Sequence, residues 1–501
     1  MADKSLIIIG AGIAGLSAGC YGQMNGYKTR IFEMHDKPGG LCTSWKRKRY
    51  TIDGCLHWLV GSGTGKALHR FWEEVGAVQN RTIVDHEEFA RVEGKEGQVF
   101  ILYTDIARLG QHMTELAPED SETIAEFISA VKALTRFNMM PEKAFELFSP
   151  IDGLKMMVKM IPFFGLMRKL GKLTIQDFAQ RFSNPFLREA FPLAFDLPDF
   201  SMVAALMTFA WLHSKNAGYP VGGSLEFARS IERRYLDLGG QIHYKSPVTR
   251  ILVENDRAVG VQLVDGTEHH SDIVISAADG RTTIFDMLEG KYIDDKIRSY
   301  YEQLPVFPPL VYVALGVDRS FDEVPQTVSG ISFPLDEPVT IAGYEHQQLA
   351  FQVYRFDPTL APLGKSVVRV MFNSDYGYWK KLKEDTKLYK AEKRQIADTV
   401  IALLDRRFPG LKDQVEMWDV ATPMTFERYT GNWQGTYEGW LLTPKMMRLR
   451  MSKTLPGLEN FYMVGQWVSP GGGLPSGVIT GNHVIQIICK RDKKKFVTST
   501  P

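Results

Sequence analysis

The sequence predicts an α/β protein: a Rossmann-type dinucleotide-binding domain joined to a second domain of mixed α+β character. Three observations predict it. Residues 6–9 (LIII) form an apolar run that leads straight into G-x-G-x-x-G at Gly10, Gly12 and Gly15. Glu33 stands eighteen residues beyond Gly15, at the end of a second β-like segment, TRIFE. A further glycine-rich tract, VGQWVSPGGGLPSGVITG (464–481), lies near the far end of the chain and runs into an apolar segment. Glycine at that density marks places where backbone approaches something closely.

The first element is justified by its context. A continuous apolar strand is what a buried parallel sheet requires. The glycines supply a tight turn, close backbone approach to a pyrophosphate, and close helix–strand packing. The amides of Ile13 and Ala14 open the following helix, whose N-terminus and dipole suit phosphate. A carboxylate at Glu33 accepts ribose hydroxyls and repels a 2′-phosphate. Next comes MHDKPGGLCTSWKRKRYTIDG, where the pair Gly39-Gly40 and Leu41 lie just beyond the ribose acid.

Mid-chain, GYPVGGSLEFARS opens a helix at about Ser224. QIHYKSPVTRILVEN and AVGVQLVDG then alternate as a β-hairpin, and residues 272–278 (DIVISAA) read as another buried strand. Near the end, TLPGLENFYMVGQW reads as a turn, a strand at 461–464 and then Gly465, after which PGGGLPSGVITGNHVIQII opens a helix.

Composition bounds the rest. A chain of 501 residues suggests two or three domains. At 44% hydrophobic and 23% charged it excludes long disorder, and a net charge of +1 gives no field for nucleic acid. Cys20, Cys42, Cys55 and Cys489 form no CxxC and no ligand spacing, so no metal is expected and a reducing compartment fits. The N-terminus has no basic n-region or cleavage site, and glycines interrupt its apolar run. A cytoplasmic protein, soluble or peripheral on a membrane, is expected. GSGTGKA (61–67) is not a P-loop, because three residues rather than four precede Gly65 and Ala67 cannot ligate magnesium.

These motifs resemble the FAD-binding amine oxidase and carotenoid desaturase superfamily over nearly the whole chain. The resemblance implies FAD, with Gly39 and Gly40 packed on the flavin side and Val248 on the adenine side. It also implies contacts from Ala277 and a C-terminal segment that returns to close over the flavin through Gly465, Gln466, Gly473, Leu474, Pro475 and Val478. Two departures stand out: Leu41 and Cys42 replace an arginine after the glycine pair, and Gln466 replaces an acid. The implied cofactor domain comprises residues 1–70, 220–285 and 455–490. A substrate domain takes 71–219 and 286–454, and 491–501 is a basic tail.

Within the superfamily the chain is most similar to carotenoid (phytoene) desaturases, carotenoid isomerases and retinol saturases. TIDGCLHW carries His57 as saturase-like members do, and PMTFERYTGNWQGTYEG (423–439) follows an isomerase and saturase pattern. The implied function is redox chemistry at a carbon–carbon bond of a lipophilic, isoprenoid or polyene substrate: desaturation, saturation or redox-assisted cis–trans isomerisation. A flavin amine oxidase, or a non-catalytic FAD-containing lipid-binding protein, are the alternatives. His57 is the ionisable group expected near the flavin, as a catalytic acid–base residue or as a structural histidine.

The remaining segments supply the substrate chamber, residues 70–220 mostly helical and 285–455 mixed. FNMM (137–140), FPLAFDLPDF and ALMTFAWL read as tunnel lining or as core. GLKMMVKMIPFFGLMRKLGK (153–172) carries five cationic residues and no acid beside four methionines. It reads as a membrane-surface segment or as a buried helical hairpin broken at Pro162. The tail KRDKKKF (490–496) reads as lipid-attracted or simply solvated, and His269-His270 as solvent-facing.

Overall fold

The strand-turn-helix opening forms as the sequence requires. In this computed structural model, which describes residues 4–137 and 142–501, Ser5–Ile9 is a strand and Ile13–Met24 a helix. Ser5–Ile9 is the centre of a five-stranded parallel sheet. Lys28–Phe32 and then Gln241–His243 lie on one side of it, and Ile273–Ser276 and then Phe461–Met463 on the other. Three segments far apart in sequence thus share one sheet. The sequence reading of residues 241–254 as one hairpin arm is corrected: Gln241–His243 joins the parallel sheet. Val248–Glu254 pairs antiparallel with Arg257–Leu263.

The helices Ile13–Met24, Gly223–Asp237 and Gly473–Arg491 share the core on one face of this sheet. The C-terminal helix, Gly473–Arg491, lies along Ile13–Met24 with its glycines at the contact. A Cβ on Gly481 would stand 2.8 Å from the Ala18 nitrogen, and one on Gly477 3.2 Å from the Ala14 nitrogen. Part of the late glycine tract therefore serves helix–helix approach.

A second, seven-stranded sheet is built in the order Val415–Ala421, Leu310–Val317, Ser366–Asn373, Tyr344–Val353, Ile331–Ile341, Glu88–Glu93, Val99–Tyr103. The last two strands lie within the stretch read as mostly helical; they pair with each other as an antiparallel hairpin, which joins the sheet where residues 331–332 meet 91–92 in parallel. One face of the sheet, through Val311, Val313 and Leu315, packs into a core shared with the helix Thr386–Arg407. The alternate residues, Tyr312 and Ala314, belong to the core around the first sheet. A phenylalanine-rich core (Phe127, Phe178, Phe191 and Phe209) joins the helices Ser121–Leu134, Pro185–Leu193 and Met202–His213.

The 153–172 region is not a buried hairpin. The helix Pro150–Met160, capped by Ser149 and Asp152, passes through a 3₁₀ turn at Ile161–Phe163 into the helix Phe164–Leu170. Ile151, Leu154, Met157, Val158, Ile161 and Phe164 are each more than half exposed, the first at 64%. Among the described residues no helix is long and apolar enough to cross a membrane. The basic tail is pinned rather than free. Lys494 stands 4.4 Å over the Tyr27 ring, Asp492 pairs with Lys4 at 2.7 Å, and the Val497 amide donates to Asn25 at 2.8 Å. His270 is exposed, but His269 is half-buried, its ring 4.6 Å from that of Phe32. Asn138, Met139 and Met140 of the FNMM stretch lie outside the described residues.

Candidate active site

The carboxyl ends of the parallel strands open into one cavity of about 1390 Å³, where ligands of open α/β sheets bind. That exceeds the roughly 300–1,000 Å³ of a pocket for one drug-sized ligand. Gly10, Gly12, Ile13, Ala14 and Glu33 line it, as do Gly39, Gly40, Leu41, Val248 and Ala277. From the C-terminal tract come Gly465, Gln466, Gly473, Leu474 and Pro475, and His57 lines it as well. Two expected contacts do not. Gly15 lies beneath the turn, where a Cβ would come within 2.0 Å of the Gly10 carbonyl oxygen, and Val478 is wholly buried in the core.

The two early glycine motifs are stitched together: the Gly39 amide donates to the Ala11 carbonyl at 2.9 Å, and Gly12 bridges Gly39. No side chain caps the helix that begins after Gly12 or the one that begins after Gly472. The cavity therefore meets two helix N-termini with unsatisfied amides, an arrangement that accepts anionic or carbonyl oxygen. Glu33 is buried; its oxygens accept from the Ala11 amide at 2.6 Å and the His35 amide at 2.8 Å. Burial raises its pKa, and those two amides oppose the rise. Uncapped helix ends, a glycine cradle and a buried acid within one cavity fit a dinucleotide cofactor.

His57 differs from its expectation. Burial, then the charges of Arg369 and His86, push its pKa well below the usual imidazole value. At neutral pH it is a neutral ring rather than a group poised to titrate.

The loop that carries His57 is fixed by a buried network. Asp53 is fully buried and accepts from the Ser224 amide at 2.8 Å, the Ser224 hydroxyl and the Cys55 amide at 3.1 Å. The Ser224 hydroxyl oxygen in turn accepts from the Leu56 amide at 2.8 Å, and Tyr312 donates to the Asp53 carbonyl. Residues 53–57 are thereby tied to the glycine-opened helix Gly223–Asp237 and to the large sheet.

Several cavity residues escaped the sequence reading. Asp196, exposed toward the cavity, and Glu438, half-buried, line it, and desolvation by the surrounding walls lifts their carboxyls to about 6 and about 7. Asp279, held by the Thr282 amide at 2.8 Å and the Trp433 amide at 2.9 Å, is raised by burial to about 6. Arg369 and Gln352 line the sheet side. The only trace of these two in the sequence is a polar residue inside an apolar strand, as in VVRVMF and FQVY.

The family described as flavin containing amine oxidoreductase matches residues 13–488. The chain belongs to that family. It is an FAD-dependent oxidoreductase, and its cofactor is FAD. Among curated relatives, the phytoene desaturase (neurosporene-forming) of Rhodobacter capsulatus is 24% identical over 96% of this chain and 93% of its own length. The chloroplastic prolycopene isomerase of Daucus carota is also 24% identical, over 96% of this chain and 79% of its own. Among solved structures, an oxidoreductase from Methanosarcina mazei superposes with a TM-score of 0.59 at 18% identity, covering 96% of this chain and 100% of that one. Cyclohexylamine oxidase from Brevibacterium oxydans superposes with the same score at 15% identity, covering 98% and 100%. Likeness at these identities speaks for the fold.

Proposed function

We propose that this member of the family acts on carbon–carbon bonds of a long apolar polyene of isoprenoid type, by desaturation, saturation or redox-assisted cis–trans isomerisation. The observation that carries the reading is the lining of the cavity beyond the glycine cradle. Phe89, Phe195, Phe200, Phe307, Leu310 and Met371, drawn from both the helical segment and the sheet, face it. Such a wall holds an extended apolar chain and excludes water. The relatives named as phytoene desaturase and prolycopene isomerase support the same substrate class.

In this reading residues 1–70, 220–285 and 455–490 hold the cofactor, and 71–219 with 286–454 hold the substrate. The amides at Ile13 and Ala14 take the pyrophosphate, Glu33 a ribose, and Val248 with Ala277 the adenine side. Gly39, Gly40, Leu41, Gly465, Gln466 and Gly473 to Pro475 take the flavin side. When bound, the flavin supplies two-electron exchange with carbon. The chain itself orients the polyene and keeps it dry. His57, half-buried and with its pKa lowered by desolvation, offers a hydrogen bond rather than a ready base. Glu438, near half-protonated at pH 7, is better matched to moving a proton.

The exposed apolar face of Pro150–Leu170 is assigned to a membrane surface. Its six exposed apolar residues are accompanied by Lys155, Lys159, Arg168, Lys169 and Lys172. The turn just before it, Phe145–Leu147, carries Phe145 and Glu146, which line the cavity. A polyene dissolved in lipid would then have a short path into the chamber.

The test is product analysis. FAD-loaded protein is incubated with long-chain polyenes under oxidising and under reducing conditions, and the products are separated and weighed. A change of two hydrogens, or a change of retention at constant mass, is the expected result. An unaltered polyene, together with aldehyde and peroxide from a panel of primary amines, would replace this reading with the amine oxidase one.

A further inference from the structure

The sheet side of the cavity holds a positive charge with no counter-ion in contact. Arg369 is the one arginine among the described residues that is buried, 6% exposed. Among the described residues its side chain makes one hydrogen bond, from Nη1 to the Tyr354 hydroxyl at 3.3 Å. Among the described residues no carboxylate lies within 4 Å of it. A guanidinium presents five donors in a rigid fork. The Arg369 Cζ also stands 5.7 Å over the Tyr354 ring, a cation–π contact, but burying a guanidinium without an anion is costly and leaves donors free toward the cavity.

A second observation points to the same place. Gln352 lies directly opposite Arg369 on the neighbouring antiparallel strand, so both side chains leave the same face of the sheet. It is 3% exposed, and neither the oxygen nor the nitrogen of its carboxamide has a partner among the described residues. Buried carboxamides are almost always satisfied, so a wholly unpartnered one beside a cavity marks a missing ligand. Both residues line the cavity, with Tyr312, Met371 and His57 around them.

The other groups near Arg369 do not answer its charge. The charge of Arg369 acts on Asp53 without touching it, but the Asp53 oxygens already accept from Ser224, Cys55 and Tyr219, and burial outweighs that charge and raises its pKa. The Tyr312 hydroxyl donates to the Asp53 carbonyl. His57 and His86 are neutral, His86 being pushed down to about 4.

We propose that Arg369 and Gln352 form an anchoring site for a carboxylate, and that the substrate is a long apolar chain bearing a terminal acid rather than a plain hydrocarbon. This deepens the proposed function and rests on it. The fork of Arg369 matches the two oxygens of a carboxylate, the Gln352 amide donates to one of them, and the aromatic and methionine walls take the chain. Anchored at one end, an extended molecule presents one fixed carbon–carbon bond to the flavin side of the cavity, so the site sets regiochemistry.

The experiment uses full-length FAD-loaded protein and a fluorescent conjugated fatty acid, cis-parinaric acid, beside its methyl ester. Wild type should bind the acid at least tenfold more tightly than the ester. Arg369→Met should abolish that preference, Arg369→Lys should retain part of it, and Gln352→Leu should weaken the acid severalfold while leaving the ester unchanged. Because Lys and Leu preserve charge or bulk, those two variants carry the test if the Met variant does not fold. Equal binding of acid and ester by wild type overturns the anchoring site and leaves the proposed function standing. An Arg369→Met protein with a shifted flavin spectrum but an intact acid preference also overturns it, since the arginine then serves the flavin. Failure to bind either probe removes the apolar-substrate reading as well.

Discussion

Replacing Gly481 by alanine puts a methyl group into the closest contact between the two helices that meet the cofactor cavity. The added Cβ would lie 2.8 Å from the Ala18 nitrogen and 3.0 Å from the Ala14 oxygen. Both are backbone atoms and cannot rotate away, so reaching even 3.4 Å means that the helices part by 0.6 Å at the contact. Overpacking of this kind costs about 1–3 kcal/mol. Alanine in a helix interior returns about 1 kcal/mol through propensity. Because the clash is with backbone the steric term lies toward the upper end of that range and wins, for a net loss of up to about 2 kcal/mol. Gly153→Ala is the control: it sits in an exposed helix with nothing within 4 Å of its added Cβ, so only the propensity gain remains. Thermal unfolding followed by circular dichroism, with FAD release followed by flavin fluorescence, reads both variants. Gly481→Ala should melt earlier and release FAD at a lower temperature than wild type, and Gly153→Ala should not. If Gly481→Ala were as stable as Gly153→Ala and held FAD equally well, the close-approach argument would be wrong.

Three further outcomes are expected. Glu33→Gln loses the charge on hydrogen bonds that each contribute about 1–3 kcal/mol, so FAD affinity should fall about 10- to 100-fold in equilibrium titration. Unchanged affinity would remove the ribose role. Folded Glu438 holds its proton more tightly (about 7) than the ordinary 4.5. Its contribution is therefore complete below about 4.5 and is lost as pH rises through about 7. Glu438→Gln should flatten the decline in melting temperature across that window, and an unchanged profile would show that the carboxyl does not titrate there. Finally, the triple change Leu154→Glu, Met157→Glu, Ile161→Glu should cut flotation with vesicles of mixed phosphatidylcholine and phosphatidylglycerol at least tenfold without lowering the melting temperature, because all three residues are more than half exposed. Equal flotation would reassign that face.

The legible part of the molecule was the part written locally. Strand, glycine turn, helix and Glu33 follow one another within about thirty residues, so spacing alone brings them together. The late glycine tract announced close approach but not its object. Gly477 and Gly481 turned out to face the first helix, while Gly465 and Gly473 line the cavity. The strands Glu88–Glu93 and Val99–Tyr103 form a local hairpin that the sequence reading passed over; what was illegible is its place in the large sheet, which is fixed by the pairing of residues 91–92 with 331–332. Gln352 and Arg369 each look like a stray polar residue in an apolar strand until the register sets them opposite one another. His57 was illegible for a related reason: its pKa is depressed first by burial and then by charges brought near it by the fold. Its depressed pKa owes part of its shift to Arg369, three hundred residues away, which no reading of TIDGCLHW could supply. The exposed apolar face of Pro150–Leu170 was legible in composition, and only its orientation had to come from the fold.

The most direct test of carbon–carbon chemistry is an anaerobic absorption experiment with FAD-loaded protein and a long-chain polyene, started once from oxidised and once from reduced flavin, with polyene and flavin bands followed together. The polyene bands should change in at least one of the two states, with the flavin bands moving in step if hydrogen is transferred and staying fixed if the double bonds only isomerise. Polyene bands unchanged from both starting states, with the oxidised flavin bleached instead by a simple primary amine, would contradict it.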